Sequence, residues 1–218
     1  MFQQLRDLFG KPTTNSEDSL RQASIRGNAI IQAAAGSDRR EFVRSLEGRL
    51  TFDCRKDPAN KRLLELINKT NQFNLNGLRV TEVEWMRHLA DPASIVLNVS
   101  YEDKFGPLGI IGVVAGKIVA RQLEISIWVM SCRAFSRRIE YHTLEHLFRS
   151  SEAELISFLF RSTERNAPFH LQVIRVPADE NEKPTVSRQA FLRGAHELPH
   201  RVVVREEKPQ RDARAVPG

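Results

Sequence analysis

An α+β fold is predicted, with a mostly antiparallel central sheet flanked by helices and an N-terminal helical extension. Three observations predict it. The 218 residues are 41% apolar and 28% charged, a globular composition with room for one domain and its appendages. Three β-branched apolar runs, SIVLNVSY, LGIIGVVAG and LEISIWVMS, follow one another with short turn-like links, as in an antiparallel meander. Segments of helical period stand on both sides of that meander in the chain.

Each element has its own local signal. Phe2, Leu5, Leu8 and Phe9 share one helical face, ended by Gly10 and Pro12. A second helix is expected from about Asp18 to the stop at Gly36. Ser37 can cap a third, which carries Phe42, Val43 and Leu46. Residues 1–48 therefore read as a helical lead-in. Leu50, Phe52 and Cys54 then alternate with Thr51 and Asp53, the period of a strand. KRLLELINKT reads as a helix with Leu63, Leu64 and Ile67 inward, followed by the polar connector 71–77. Thr81 and Glu84 form a capping box that starts a helix carrying Val83, Met86 and Leu89, which ends before Pro92. After the meander, residues 137–150 are helical with Leu144, Leu147 and Phe148 on one stripe. ELISFLF is apolar on both faces and reads as a buried strand, and 167–174 as a short helix. Beyond Pro177 the chain turns polar and only RVVV reads as a further strand. The domain proper is thus expected at 49–205, with 206–218 a disordered tail.

Net charge narrows the partners. The chain carries +6 at pH 7, which favours anionic ligands: nucleic acid, phosphates or an acidic protein. Its arginines, among them Arg39, Arg40, Arg161 and Arg165, are dispersed, and no zinc-finger, RNP or helix-turn-helix signature accompanies them, so nucleic acid is disfavoured. Two cysteines, Cys54 and Cys132, are too few for a disulfide framework and suit a reducing compartment. Without a signal peptide or a membrane span in the sequence, a soluble cytoplasmic protein is expected.

Motifs give a sharper reading. INKTNQFNL at 67–75, WVMSCRAFSRRIE at 128–140 and ERNAP at 164–168 together resemble the signature of the FkbH-like family, and SDRREFVRSLEGRLTF resembles the stretch joining the two halves of those proteins. The order of elements from Arg49 likewise resembles the acyltransferase fold of the GNAT superfamily, in which a fourth strand and the following helix hold a pantetheine-bearing cofactor. FkbH-like proteins combine a phosphatase-type half of the haloacid dehalogenase superfamily with a GNAT-like half, and load a glyceryl unit onto an acyl carrier protein. The resemblance covers roughly residues 20–175 and only the GNAT-like half. No Asp-x-Asp pair, the phosphatase nucleophile and acid, occurs in the sequence. The resemblance therefore implies acyl or glyceryl transfer in a biosynthetic pathway, with an acyl carrier protein and a separate haloacid dehalogenase-type subunit as partners. No tightly bound cofactor is expected; phosphopantetheine, carrier-borne or as CoA, is the expected ligand. The alternative is a non-catalytic remnant that binds the carrier or the phosphatase subunit. Two departures from the family pattern favour it: Ser126 stands where an Asp is usual, and Ala134-Phe135-Ser136-Arg137 lacks the usual glycine.

Candidate site residues follow from these motifs. Cys132 precedes a helix start among Arg133, Arg137 and Arg138, which suits a thiolate and a transient thioester; a buried structural cysteine is the plainer and favoured reading. Glu124, on the central strand, is the candidate general base, or else a solvated strand residue. Asn71 and Asn74, with Asn68 and Gln72, can read the amides of a pantetheine arm, or satisfy the connector's own backbone. Asn166 is either a helix cap or a contact near the cofactor thiol. Arg133, Ser136 and Arg137 are expected at the same ligand, Ser136 also as a helix cap. His142, Glu145 and His146 match an inverted zincin pattern by chance; no metal site is assigned, and surface histidines are expected.

Overall fold

The three β-branched runs pair as a meander, and the chain before and after them extends the same sheet on both sides. A computed structural model describes residues 36–135, 137–164, 166, 183–194 and 198–205. The elements in chain order are α1 (Gly36–Ser45), β1 (Arg49–Asp53), α2 (Lys61–Lys69), β2 (Phe73–Asn74), α3 (Glu82–Ala90), β3 (Ser94–Asp103), β4 (Gly106–Val119) and β5 (Gln122–Met130). A 3-10 turn (Cys132–Ala134) leads to α4 (Ile139–Ser150), β6 (Leu155–Phe158), β7 (Thr185–Ser187), α5 (Arg188–Arg193) and β8 (Arg201–Arg205). The sheet runs β7-β6-β5-β4-β3-β1-β8, with β2 paired to β5 off this path. Two contacts, β1–β8 and β5–β6, are parallel, and every other pairing is antiparallel. The predicted α+β class with a mostly antiparallel sheet is what the chain adopts.

Helices cover both faces of the sheet. Leu63, Leu66 and Ile67 of α2 and Trp85 and Leu89 of α3 pack on Val96, Val113, Ala115 and Val129. On the opposite face Leu144, Leu147 and Phe148 of α4 join Leu97, Val99, Leu123, Ile125 and Trp128. Two expected inward faces are corrected here. Leu66 rather than Leu64 is buried on α2, and on α3 Val83 is 67% and Met86 44% exposed while Trp85 is buried. Positions 83, 86 and 89 drift by about 60° per step on a 3.6-residue helix, whereas 85 and 89 stay nearly aligned. The capping box at the start of α3 is present with both arms, Glu84 N–H donating to Thr81 Oγ1 and the Glu84 carboxylate accepting from Thr81 N–H.

One irregularity in β5 has a large effect on the site. Ala115 pairs with Ile127 and Gly116 with Ile125, leaving Ser126 as an extra residue, a β-bulge. Because of it, Leu123 and Ile125 share a face with Trp128 and Met130, although their sequence parity differs. Gly116 is required opposite the bulge, since a Cβ there would lie 2.2 Å from the Glu124 carbonyl oxygen.

Strand β7 and helix α5 were not expected from the polar stretch after Pro177. Each buries a single apolar anchor, Val186 or Phe191, which is too little for a periodicity to register. The helix starting near Arg137 begins at Ile139, with Arg138 at its N-cap in the left-handed region, φ 60. The expected helices at 2–9 and 167–174, the tail 206–218 and residues 18–35 of the expected second helix lie outside the described residues, and Gly36, its expected stop, is the first residue of α1. No helix among the described residues is long and apolar enough to cross a membrane.

Candidate functional site: the gap between two parallel strands

Strands β5 and β6 run side by side only from the Gln122–Leu155 pair to the Ile125–Phe158 pair. The Ser126 bulge follows immediately, and there the two strands part. Divergent parallel strands leave a row of backbone donors and acceptors unpaired, so something extended must fill the gap. Here the chain fills it with its own connector. Phe73 and Asn74 pair antiparallel with Met130 and Val129. Leu75 N–H donates to the Trp128 carbonyl at 2.9 Å, and Arg161 N–H to the Leu75 carbonyl at 3.3 Å. The Asn76 amide donates to both walls of the gap, to Ser126 O at 2.9 Å and Leu159 O at 3.1 Å. Phe73 packs against Trp128 and Phe135 with ring centroids 5.9 and 6.0 Å away.

The asparagines serve this plug. Asn74 Nδ2 donates to Thr70 O, and its Oδ1 accepts from Asn76 and Gly77 N–H, an Asx turn that lets Gly77 take φ 70. Asn166, buried, donates to the carbonyls of Asn74, Leu75 and Arg161 and accepts from Thr163 N–H. Asn68 exchanges two hydrogen bonds with the Val80 backbone. Asn71 is exposed and accepts from Arg79. The expected ligand-facing role of Asn74 and Asn166 is thereby corrected: their polar atoms are committed to backbone that would otherwise be buried unpaired. Sequence reasoning passed over Asn76, the residue that clamps both strands. Its signal was the Asn-Gly dipeptide just after the INKTNQFNL motif. Residues 73–76 already make the hydrogen bonds that another extended chain between β5 and β6 would need.

Among the catalytic candidates, Cys132 is exposed rather than packed under the helix. It stands just beyond β5, and Asn71 lies two residues before Phe73 on the paired strand, so both are at the same end of the sheet. Arg133 is half-buried beside it, with its N–H and Nε at 3.4 Å from Ser131 Oγ. Glu124 is elsewhere. Six residues of β5 and Ser131 lie between it and Cys132, roughly 20 Å, and its carboxylate pairs with Lys183. One site cannot hold both. Ser136 lies outside the described residues, and the N-cap position falls on Arg138.

Arg137 belongs to a different environment. Its side chain is 2% exposed, donates to Arg133 O at 2.7 Å and sits 3.7 Å from the Asp103 carboxylate, which is equally buried. Its guanidinium lies over the Tyr101 ring, 5.4 Å from the centroid. His200 Nε2 meets the Arg137 carbonyl at 2.7 Å, and His200 N–H donates to His142 Nε2 at 3.4 Å. Burial raises the Tyr101 phenol and depresses both imidazoles, His142 to about 3 with further repulsion from His200 and Arg138. This is a core polar cluster that joins α4 to β8, so Arg137 is corrected from a ligand contact to an interior residue. The surface location expected for His142 and His146 is corrected as well, since both are buried. They meet different partners, His200 and Cys54 respectively. Among the described residues no group of three or more His, Cys, Asp or Glu is placed to hold a metal.

No protein-family model and no curated protein matches the chain. Solved structures match in part. Tetrahymena GCN5 is 10% identical with a TM-score of 0.36, over 62% of this chain and 94% of that one. An acetyltransferase described as putative from Exiguobacterium sp. 255-15 is 10% identical with a TM-score of 0.33, over 49% and 71%. A GCN5-related glucosamine N-acetyltransferase region of a fungal multi-domain GH3 beta-N-acetylglucosaminidase is 18% identical with a TM-score of 0.31, over 59% and 15%. Similarity of this extent bears on neither residues nor substrates.

Proposed function

We propose that this domain accepts an acyl or glyceryl unit presented as a thioester on an acyl carrier protein, with Cys132 as nucleophile. One observation carries the reading: Cys132 is exposed at the end of β5 with Arg133 beside it. The Cys132 Sγ adds to the thioester carbonyl, a new C–S bond forms, and the carrier thiol leaves and takes up the proton. The resemblance of INKTNQFNL and WVMSCRAFSRRIE to the FkbH-like family supports the choice of carrier. With the gap between β5 and β6 filled, the carrier's arm must reach Cys132 across the end of the sheet, where Arg79 and Arg161 are exposed. An acidic carrier docking there is steered by charge and weakened by salt.

Mass spectrometry after incubation with loaded carrier tests this. Expected are an acyl adduct on the peptide containing Cys132, its loss in Cys132→Ala, and its retention in Glu124→Ala. The filled gap favours a second reading, a recognition module for the carrier, or for a separate haloacid dehalogenase-type subunit, without chemistry. A stable carrier complex with no adduct on Cys132 would select it.

A further inference from the structure

At the opposite end of the sheet from Cys132, the second thiol faces an imidazole. Cys54 follows β1 directly, and its N–H donates to the Arg205 carbonyl at 3.0 Å, so the β1–β8 pair pins its backbone. Its Sγ lies 3.4 Å from His146 Nε2. His146 is buried on α4, and its ring stacks on Phe52 with centroids 4.7 Å apart and planes 23° apart. The stack fixes the direction in which Nε2 points. Both residues line a pocket of about 190 Å3 whose walls include Ile95, Leu97, Ile118 and Leu147.

The other polar groups at this pocket already have partners. Lys56 Nζ donates to Asp91 O, Ser94 Oγ to His88 O, Ser150 Oγ to His146 O and Ser151 Oγ to Leu147 O. The pocket presents a thiol, an imidazole within reach of its proton, and aliphatic walls. Thiol–imidazole pairing is the arrangement that makes cysteine nucleophilic near neutral pH. An apolar cavity of about 150 Å3 admits a benzene-sized guest, so this one has room for an aliphatic chain of about six carbons.

We infer that Cys54 and His146 form a second nucleophilic site, which takes a short aliphatic acyl group from a thioester. His146 Nε2 accepts the Cys54 proton, and the thiolate adds to the thioester carbonyl. The C–S bond to Cys54 forms, the original C–S bond breaks, and the departing thiolate takes the proton back from His146. One thioester is exchanged for another, so no oxidant or further reagent is consumed. The chemistry is independent of Cys132 and of any carrier protein.

The test uses S-hexanoyl-N-acetylcysteamine, a small thioester, on the full chain carrying Cys132→Ala, with the adduct located by peptide mapping. Hexanoyl is expected on Cys54. In His146→Phe, which keeps an aromatic ring on Phe52, the acylation rate should fall about a hundredfold, the usual loss on removing a general base. A second comparison needs no change at His146: a succinyl probe, whose carboxylate is costly to bury among aliphatic walls, should react at least about tenfold more slowly than hexanoyl. Absence of a Cys54 adduct, an unchanged rate in a folded His146→Phe chain, or equal rates for hexanoyl and succinyl would each overturn the assignment. Failure of carrier-dependent transfer to Cys132 would leave these three readouts untouched.

Discussion

The Asn76 side-chain amide spans the point where β5 and β6 separate, donating to Ser126 O at 2.9 Å on one strand and Leu159 O at 3.1 Å beyond the other. Asn76 is buried. It holds residues 73–76 in the gap and closes off the carbonyls that the bulge leaves without a strand partner.

Removing that amide should therefore cost more than its own two bonds. Asn76→Ala leaves two interior carbonyls without it, at about 1–3 kcal/mol for each unsatisfied group. We expect a loss of about 3 kcal/mol in urea unfolding. Asn71→Ala, at an exposed position of the same connector, should stay within about 0.5 kcal/mol.

The bulge has a steric requirement of its own. A methyl group at position 116 would meet the Glu124 carbonyl at 2.2 Å, and that contact is with backbone, which cannot swing aside. Gly116→Ala should lower stability by about 3 kcal/mol, read from thermal unfolding. A variant as stable as the parent would show that β4 and β5 tolerate a wider spacing here.

Acid should weaken the fold well before carboxylates titrate. Burial depresses His88, His142 and His200 below the ordinary imidazole value of 6.5, His142 to about 3. The unfolded chain therefore binds protons that the folded chain refuses, and stability is full above pH 6.5 and falls as pH drops. For His142 the loss runs from pH 6.5 to about 3 and amounts to about 2 kcal/mol at pH 5. Denaturant titrations at pH 7.5 and pH 5 should show this drop, and His142→Gln should shrink it.

The cap of α3 offers a smaller and cleaner measurement. Thr81 and Glu84 satisfy each other's backbone N–H at an exposed helix start. Thr81→Ala should cost about 1 kcal/mol, with the loss visible in thermal unfolding. Val83→Ser on the exposed side of the same helix should be close to neutral.

Much of this fold was legible in one dimension. The meander of 94–103, 106–119 and 122–130, the helix at 61–69 and the capping box at Thr81 each rest on residues close together in the chain. Where the reading failed, the deciding contacts were distant. Trp85 replaced Val83 and Met86 as the anchor of α3 because the sheet beneath selected one side of the helix. Asn166 was recognised as special, yet its partners include the Asn74 carbonyl, brought to it only by folding from 92 residues away.

By itself the sequence determined the class, the meander and its flanking helices, the capped start of α3 and the identity of the unusual segments, because alternation, helical period and caps act over a few residues. Tertiary structure alone decided that the β5–β6 gap is filled from within, that Arg137 is interior, that Cys132 is exposed and far from Glu124, and that Cys54 meets His146. Those outcomes depend on register and on one extra residue at Ser126, and a single-residue shift exchanges the two faces of a strand. No local pattern encodes which distant backbone will need a partner.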